Sequence, residues 1–320
     1  MDKAVRFLKI IGNGPKSHRD YTEKEAFALM EAIMEETVFS EAQLGALWLM
    51  MRNKTTTKDE LMGILDAWET KFPPAIKQDK TLLLGNPFDG KKRSVSLSPF
   101  AACLLEQAGN SVYMGGVPGL GPKFGNTEAE LFANFNPAKK LQTPTVWNAN
   151  TLYPFYKSLI PSRNEIGLRS FMHTIEKCIN PFGASHAILT LHHEPYIERF
   201  IHLAQTRFDS ATLVFGEEGS CDLCLRKPTR YIRVTGSNIE ENTLSLEDFP
   251  LKQLPSLKPG TIQQTVYFWK KALTEPSSDE AQWIIAQTAL LLFALGQKKN
   301  LTENITQAHQ LLLQMSRDAV

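Results

Sequence analysis

The chain has 320 residues, of which 42% are hydrophobic and 22% charged, with a formal net charge of +1. This is the composition of a globular, enzyme-like protein with core enough for two domains or one large one. A net charge so near zero neither demands nor excludes a polyanionic partner, so the question becomes whether the 35 Lys and Arg residues share a face.

The opening residues, Met1 to Phe7, lack the basic-then-apolar pattern of a signal peptide. Residues 1 to about 70 read as all helix. Thr22 followed by Glu25 has the form of a capping box, and Ala26, Phe27, Met30, Ile33 and Met34 follow at helical spacing. Ser40 starts another helix, with Leu44, Leu47, Trp48 and Met51 on one face. Thr57 opens a third, which Pro73 and Pro74 terminate. From Thr81 the pattern changes to short apolar runs alternating with helices. Leu82–Leu84, Val112–Met114 and Ala211–Phe215 read as strands. Ser98-Pro99 reads as an N-cap with proline at the first helical position, and the helix stops at Gly109. Thr127 to Ala133 is another helix. Such alternation predicts an α/β domain with a mainly parallel central sheet. Asn238 to Gly260, with three prolines, reads as an irregular excursion, and helices over 279–295 and 302–316 close the chain. The run Trp283 to Leu295 is shorter than the roughly 20 residues that span a bilayer and contains Gln287 and Thr288, so it is expected to be a buried helix and no membrane partner is expected. Cys103, Cys178, Cys221 and Cys224 point to reduced thiols and a cytoplasmic setting. The single Cys221-x-x-Cys224 pair has no second pair to complete a zinc site and reads as chance spacing.

Residues 162–181 contain Arg163, Glu165, Gly167, Arg169, Asn180 and Pro181 in a pattern that resembles the acceptor side of anthranilate phosphoribosyltransferases, the glycosyltransferase family 3 or nucleoside phosphorylase type. Arg52-x-Lys54 and Glu60 to Gly63 resemble the amino-terminal bundle of that family, and Phe215-Gly-Glu-Glu-Gly219 its Glu-Gly turn. The resemblance runs over nearly the whole chain. It implies a small helical domain at 1–72, completed by part of 160–185 and used for homodimerisation, and a larger α/β domain at 73–320.

The resemblance also locates the expected diphosphate site, and the residues there have changed. A phosphate cradle needs converging backbone N–H groups, and glycines that let the backbone approach the anion. The family's glycine-rich loop corresponds to Gly85-Asn86-Pro87-Phe88-Asp89-Gly90, where proline removes a donor and phenylalanine adds a ring. Ser98 retains a helix N-terminus with its free N–H groups. The family's next cations are replaced by Met114 and Pro118. Its acidic Mg²⁺ pair is Cys221-Asp222, which leaves Asp222, helped by Glu217 or Glu218, as the remaining hard ligands. No catalytic residue follows from this, and no cofactor is expected unless the chain is a transferase using Mg²⁺.

Basic residues lie in short groups: Lys91-Lys92-Arg93, Lys139-Lys140, Arg226-Lys227 with Arg230 and Arg233, Lys270-Lys271 and Lys298-Lys299. Lys91 to Arg93 follow the altered loop, and Arg163 and Arg169 flank the acceptor side. Sharing a face, they would attract a phosphodiester backbone; scattered, they are solvated surface. Arg169 could instead satisfy carbonyls at its turn. His192-His193-Glu-Pro-Tyr-Ile197 resembles a segment of the YbiB-type branch, which is associated with sequence-independent nucleic-acid binding by a homodimer. The two histidines read as helix-start or packing residues before metal ligands. The sequence therefore leads to the expectation of a degenerate family member that binds DNA or RNA through Lys91, Lys92, Arg93, Ser98, Arg163 and Arg169. The alternative is a pentosyltransferase with an altered donor or acceptor, using Arg163 for a carboxylate and Asp222 with Glu218 for metal.

Overall fold

The computed structural model describes residues 2–14, 17–137, 141–224, 227–249, 260–296 and 301–319. Four helices open the chain: α1 (Lys3–Gly12), α2 (Glu23–Met34), α3 (Glu41–Lys54) and α4 (Lys58–Lys71). Thr22, Ser40 and Thr57 each form a reciprocal capping box, with Glu25, Gln43 and Glu60 respectively. Two orphan N–H groups are satisfied at each of these helix starts.

The rest of the chain runs β1 (Gln78–Gly85), α5 (Ser98–Gln107), β2 (Ser111–Gly116), α6 (Glu128–Asn134) and β3 (Thr145–Asn148). Then come α7 (Ala149–Leu152), α8 (Tyr156–Ile166), α9 (Met172–Ile175), β4 (Ala184–Thr190), α10 (Ile197–Arg207) and β5 (Ser210–Val214). A β6–β7 hairpin (Thr229–Thr235, Asn238–Leu244) and α11 (Ile262–Thr274), α12 (Asp279–Ala294) and α13 (Leu301–Ala319) complete it. The strands form one sheet in the order β3-β2-β1-β4-β5-β6-β7. The first five are mutually parallel and the last two antiparallel, which is the mixed α/β architecture expected. Segment 238–244, read from sequence as irregular, is instead the edge strand β7. Its residues, Asn-Ile-Glu-Glu-Asn-Thr-Leu, are mostly polar and lie exposed except at Leu244, so they show no apolar alternation to read. Its turn uses Gly236 at φ +55°. Part of the rest of that excursion, 250–259, lies outside the described residues.

Successive side chains of a strand face opposite sides, and β1 shows it. Leu83 joins a core with α1–α4, α8 and α10, while Leu82 and Leu84 join another with α5, α11, α12 and α13. Trp48 of α3 donates its indole N–H to Ser162 Oγ of α8 at 3.0 Å. Tyr153, Phe155 and Tyr156 surround the buried Trp68 of α4, so these aromatics are core. Helix α12 is buried along nearly its whole length. Its polar Gln287 accepts from the Leu223 N–H at 2.8 Å and donates to the Cys221 carbonyl at 3.0 Å. Among the described residues no helix is long and apolar enough to cross a membrane. All four cysteines are free and buried.

One consequence of the strand order positions the site. From β1 the chain moves outward to β2 and β3, then returns to β4 on the other side of β1. In a doubly wound sheet the crevice beyond the carboxyl ends of such neighbouring strands is where ligands sit. Here those ends are Gly85 of β1 and Thr190 of β4, whose hydroxyl donates to the Gly85 carbonyl at 3.1 Å.

Candidate functional site

The β1 half of the crevice is filled from within. Gly85 has no room for a side chain, because a Cβ would lie 2.5 Å from the Lys177 carbonyl. Asn86 bridges two elements, donating to Glu128 Oε1 and accepting the Cys221 N–H, each at 2.8 Å. Phe88 is buried and meets Trp147 edge to face, with ring centroids 5.1 Å apart. Trp147 in turn lies where a Cβ on Gly115 would be. The Phe88 ring therefore fills the space between its loop and Trp147 of β3. Asp89 is fully buried and accepts from Arg169 at 2.9 Å and 3.1–3.3 Å, with Lys123 at 4.0 Å.

Two backbone anion sites remain, and each holds one of the protein's own carboxylates. Asp222 accepts the N–H groups of Leu97 (3.0 Å) and Ser98 (2.8 Å) at the start of α5 and pairs with Lys91 Nζ. Burial would raise its carboxyl, but Lys91, Ser98 and Leu97 outweigh that and hold it below the ordinary carboxylate range. Ser98 itself is the first residue of α5, which has no side-chain cap from its own segment. The expectation of a Ser98 N-cap is thus corrected: the cap comes from Asp222, 124 residues along the chain. Glu218 fills the second site. It accepts N–H groups from Lys92 (3.2 Å), Arg93 and Ser94 (both 2.7 Å), and the Ser94 hydroxyl at 2.9 Å. Burial again pushes its carboxyl up, but Lys91, the Lys92 N–H, Lys123 and Ser94 bring it below its usual value.

These contacts correct three sequence expectations. Asp222 and Glu218 do not suit Mg²⁺, because their oxygens already accept from ammonium and N–H donors. Among the described residues no cluster of three or more His, Cys, Asp or Glu is placed to hold a metal. Lys91 is not a surface cation: it is 6% exposed, and it donates to the Val95 carbonyl at 2.9 Å besides Asp222. Arg163 is 1% exposed. It donates to Glu176 at 2.5 Å and to the Tyr156 hydroxyl at 2.6 Å, so it serves a buried ion pair and no incoming carboxylate. Lys92 and Arg93 are exposed as expected, and Arg169 is partly so.

The β4 half of the crevice is open. A cavity of about 410 Å³ lies between the end of α3, the 169–177 segment and the carboxyl end of β4 with the start of α10. Its polar lining includes Arg52, Arg169, Ser170, Lys177, His192 and His193, its aromatic wall is Phe171, Tyr196 and Phe200, and it has no carboxylate among its lining residues. Lys177 is buried, and among the described residues its ammonium reaches only the carbonyls of Thr190 and Gly219, both at 3.5 Å. Burial, then Arg169 and Lys123, lower its pKa to about 8. Ser170 Oγ is buried without a hydrogen-bond partner. His173 is held neutral by burial and by the arginines at 163 and 169. Arg52 donates to the Arg169 carbonyl at 2.6 Å and is otherwise exposed. His192 and His193 stand with perpendicular rings at the rim.

Residues 134–314, more than half of the chain, match the glycosyl transferase family, a/b domain. The chain belongs to this family. An uncharacterized protein of Aquifex aeolicus is 26% identical over 313 residues, covering 95% of this chain and 97% of its own. The anthranilate phosphoribosyltransferase of Ectopseudomonas mendocina is 25% identical over 311 residues, covering 92% and 89%. Among solved structures, anthranilate phosphoribosyltransferase from Thermus thermophilus superposes with a TM-score of 0.77 at 20% identity, over 99% of this chain and 96% of that one. The Saccharomyces cerevisiae protein in complex with PRPP and Mg gives 0.76 at 12% identity, over 98% and 94%. These likenesses establish the fold.

Of the residues expected from sequence at this site, Arg169 lines the open cavity, whereas Lys91, Ser98, Arg163 and the Gly85–Gly90 loop do not. Lys177 gives no signal in the sequence, because one Lys in an apolar stretch carries no periodicity, and adjacent histidines read as packing residues. A usable clue was the pairing of His192-His193 with the end of a parallel strand, where family crevices open.

Proposed function

We propose that this protein binds nucleic acid through its phosphate backbone, with little sequence preference, and does not transfer a phosphoribosyl group from phosphoribosyl pyrophosphate. The observation that carries the reading is the acid-free cationic lining of the cavity, next to two anion sites already taken by Asp222 and Glu218. The exposed Lys92 and Arg93 continue the basic surface, since the 217–219 turn joins the two regions. Its Glu218 side chain holds the 92–94 backbone, and a Cβ at Gly219 would sit 3.8 Å from His192 and 3.9 Å from Lys177. Among the other sequence-identified basic groups, several described residues are engaged within the protein. Arg230 is paired with Glu194 and Glu241, Lys271 with Glu280, Arg233 lies over the Phe293 ring, and 139–140, 226 and 298–299 lie outside the described residues.

The test is a gel-shift or anisotropy titration with mixed-sequence DNA and RNA over a salt series. Backbone binding predicts a log K that falls linearly with log salt and hardly changes with sequence. The Lys92→Ala/Arg93→Ala variant should lower that slope by up to about two, one for each phosphate it no longer neutralises. Absence of binding at low salt would falsify the proposal. The cavity also supports a second reading, a pentosyltransferase with an altered donor or acceptor, because its size falls within the roughly 300–1,000 Å³ of small-molecule sites. Calorimetry with phosphoribosyl pyrophosphate and Mg²⁺ separates the two, and micromolar binding there would favour the transferase.

A further inference from the structure

We propose that the cavity beyond β4 is a pocket for a phosphomonoester dianion, so that a nucleic acid is engaged by a phosphorylated end. This rests on the nucleic-acid reading for the identity of the chain carrying the phosphate, and on the cavity alone for the chemistry.

The charge balance inside the cavity calls for an anion. Arg169 is matched by Asp89, but among the described residues Lys177 has only two carbonyls as hydrogen-bond partners, at 3.5 Å, the outer limit of hydrogen bonding. A buried cation without a carboxylate partner is costly, and an anion in the adjoining space removes that cost. Ser170, 7% exposed and with its Oγ unpartnered, lines the same space. A buried hydroxyl of this kind loses the free energy of a hydrogen bond unless a ligand supplies one. Arg52, with its guanidinium exposed and only a backbone carbonyl as partner, completes a set of two unmatched cations and a hydroxyl.

Charge selects a monoester over the interior of a chain. A phosphodiester carries one negative charge, whereas a monoester has a second ionisation near pH 6 and is close to a dianion above neutrality. Two unmatched cations, Lys177 and Arg52, fit the dianion. Of the lining residues, Lys177, Leu191 and Phe200 are buried, while Arg52, His192 and His193 are exposed. Tyr196, half-buried on the wall, offers a ring against which the terminal sugar or base can pack.

The experiment compares one short single-stranded oligonucleotide in three forms, with a 5′-phosphate, with a 3′-phosphate and with hydroxyl groups at both ends. Each is titrated by calorimetry against the full chain at one salt concentration, with inorganic phosphate as competitor. At least one phosphorylated form should bind about tenfold or more tighter than the hydroxyl form, as charge-assisted contacts require, and the stronger of the two identifies the end recognised. Inorganic phosphate should compete away that advantage. In Lys177→Met, and separately in the surface variant Arg52→Ala, the advantage should shrink to within about twofold while melting temperature shows that each variant is folded. Equal binding of all three forms by the wild type overturns end recognition and leaves backbone binding standing. Failure of all three to bind overturns both. An advantage unchanged in both variants assigns the phosphate elsewhere and overturns the pocket.

Discussion

The Asp222 carboxylate accepts the Ser98 N–H at 2.8 Å, across 124 residues of chain, so the start of α5 is capped by a side chain from a distant segment. A helix N-terminus is a ready-made anion site, and this one is supplied with an anion by the protein itself. Lys91 completes the arrangement, paired with the same carboxylate. The Glu218 carboxylate repeats the device on the 92–94 backbone. The features that would let a crevice hold a diphosphate are therefore retained in geometry and consumed in structure.

Breaking this pair should destabilise the protein strongly. Asp222→Asn leaves Lys91 buried and unmatched, and the expected loss is about 3–5 kcal/mol in denaturant unfolding. The double variant Lys91→Met/Asp222→Leu should lose less than the sum of the single ones, because it removes both charges together. Additive losses would show that the two side chains are not coupled.

Acid should unfold the protein through the same carboxylates. Asp222 and Glu218 are both held below their ordinary values in the folded state. Their stabilisation is complete above the ordinary carboxylate range of about 4 and is lost as pH falls through the folded values. Glu218→Gln should flatten the acid limb of a stability–pH curve measured by thermal melting, and an unchanged limb would remove Glu218 from this role.

Glu128 should act in the opposite sense. It is buried with Oε2 unpartnered, and burial raises its pKa from 4.5 to about 7. A raised carboxyl contributes stability at low pH that disappears as pH rises from 4.5 through 7. Glu128→Gln, which keeps an oxygen to accept from Asn86, should therefore be stabilising at pH 8 by on the order of 3 kcal/mol and close to neutral at pH 4. A variant less stable than wild type at pH 8 would contradict this.

Anion binding in the cavity should weaken as the solution is made alkaline. Lys177 loses its proton near pH 8, so affinity for a phosphorylated ligand should be nearly flat from pH 7 to 8 and fall above it. Lys123 titrates in the same range, but it is absent from the cavity lining. Lys177→Met should abolish most of the fall, whereas Lys123→Met should keep it. The reverse pattern would transfer the effect to Lys123.

The helical start was legible because its signals are local. Thr22 with Glu25, Ser40 with Gln43 and Thr57 with Glu60 lie three residues apart, and each pair forms the bonds that the spacing predicts. Strands β1, β2 and β5 declared themselves by compact apolar runs. The edge strand β7 did not, because its residues face solvent and carry no periodic pattern. The place of the crevice was likewise visible, through the altered Gly85–Gly90 loop and the 162–181 segment.

The sequence by itself determined the α/β class and the elements that carry a hydrophobic period or a local cap, since these depend on spacings of a few residues. Tertiary structure alone decided what each charged residue does there. Lys91 and Arg163 look like free cations along the chain, yet one is neutralised by a carboxylate 131 residues away and the other by Glu176 across a helix turn and a loop. Lys177, unremarked in sequence, is buried beside an acid-free cavity. The physical reason is that a charge becomes structural or available according to its nearest partner and its access to water, and both are set only when distant segments pack.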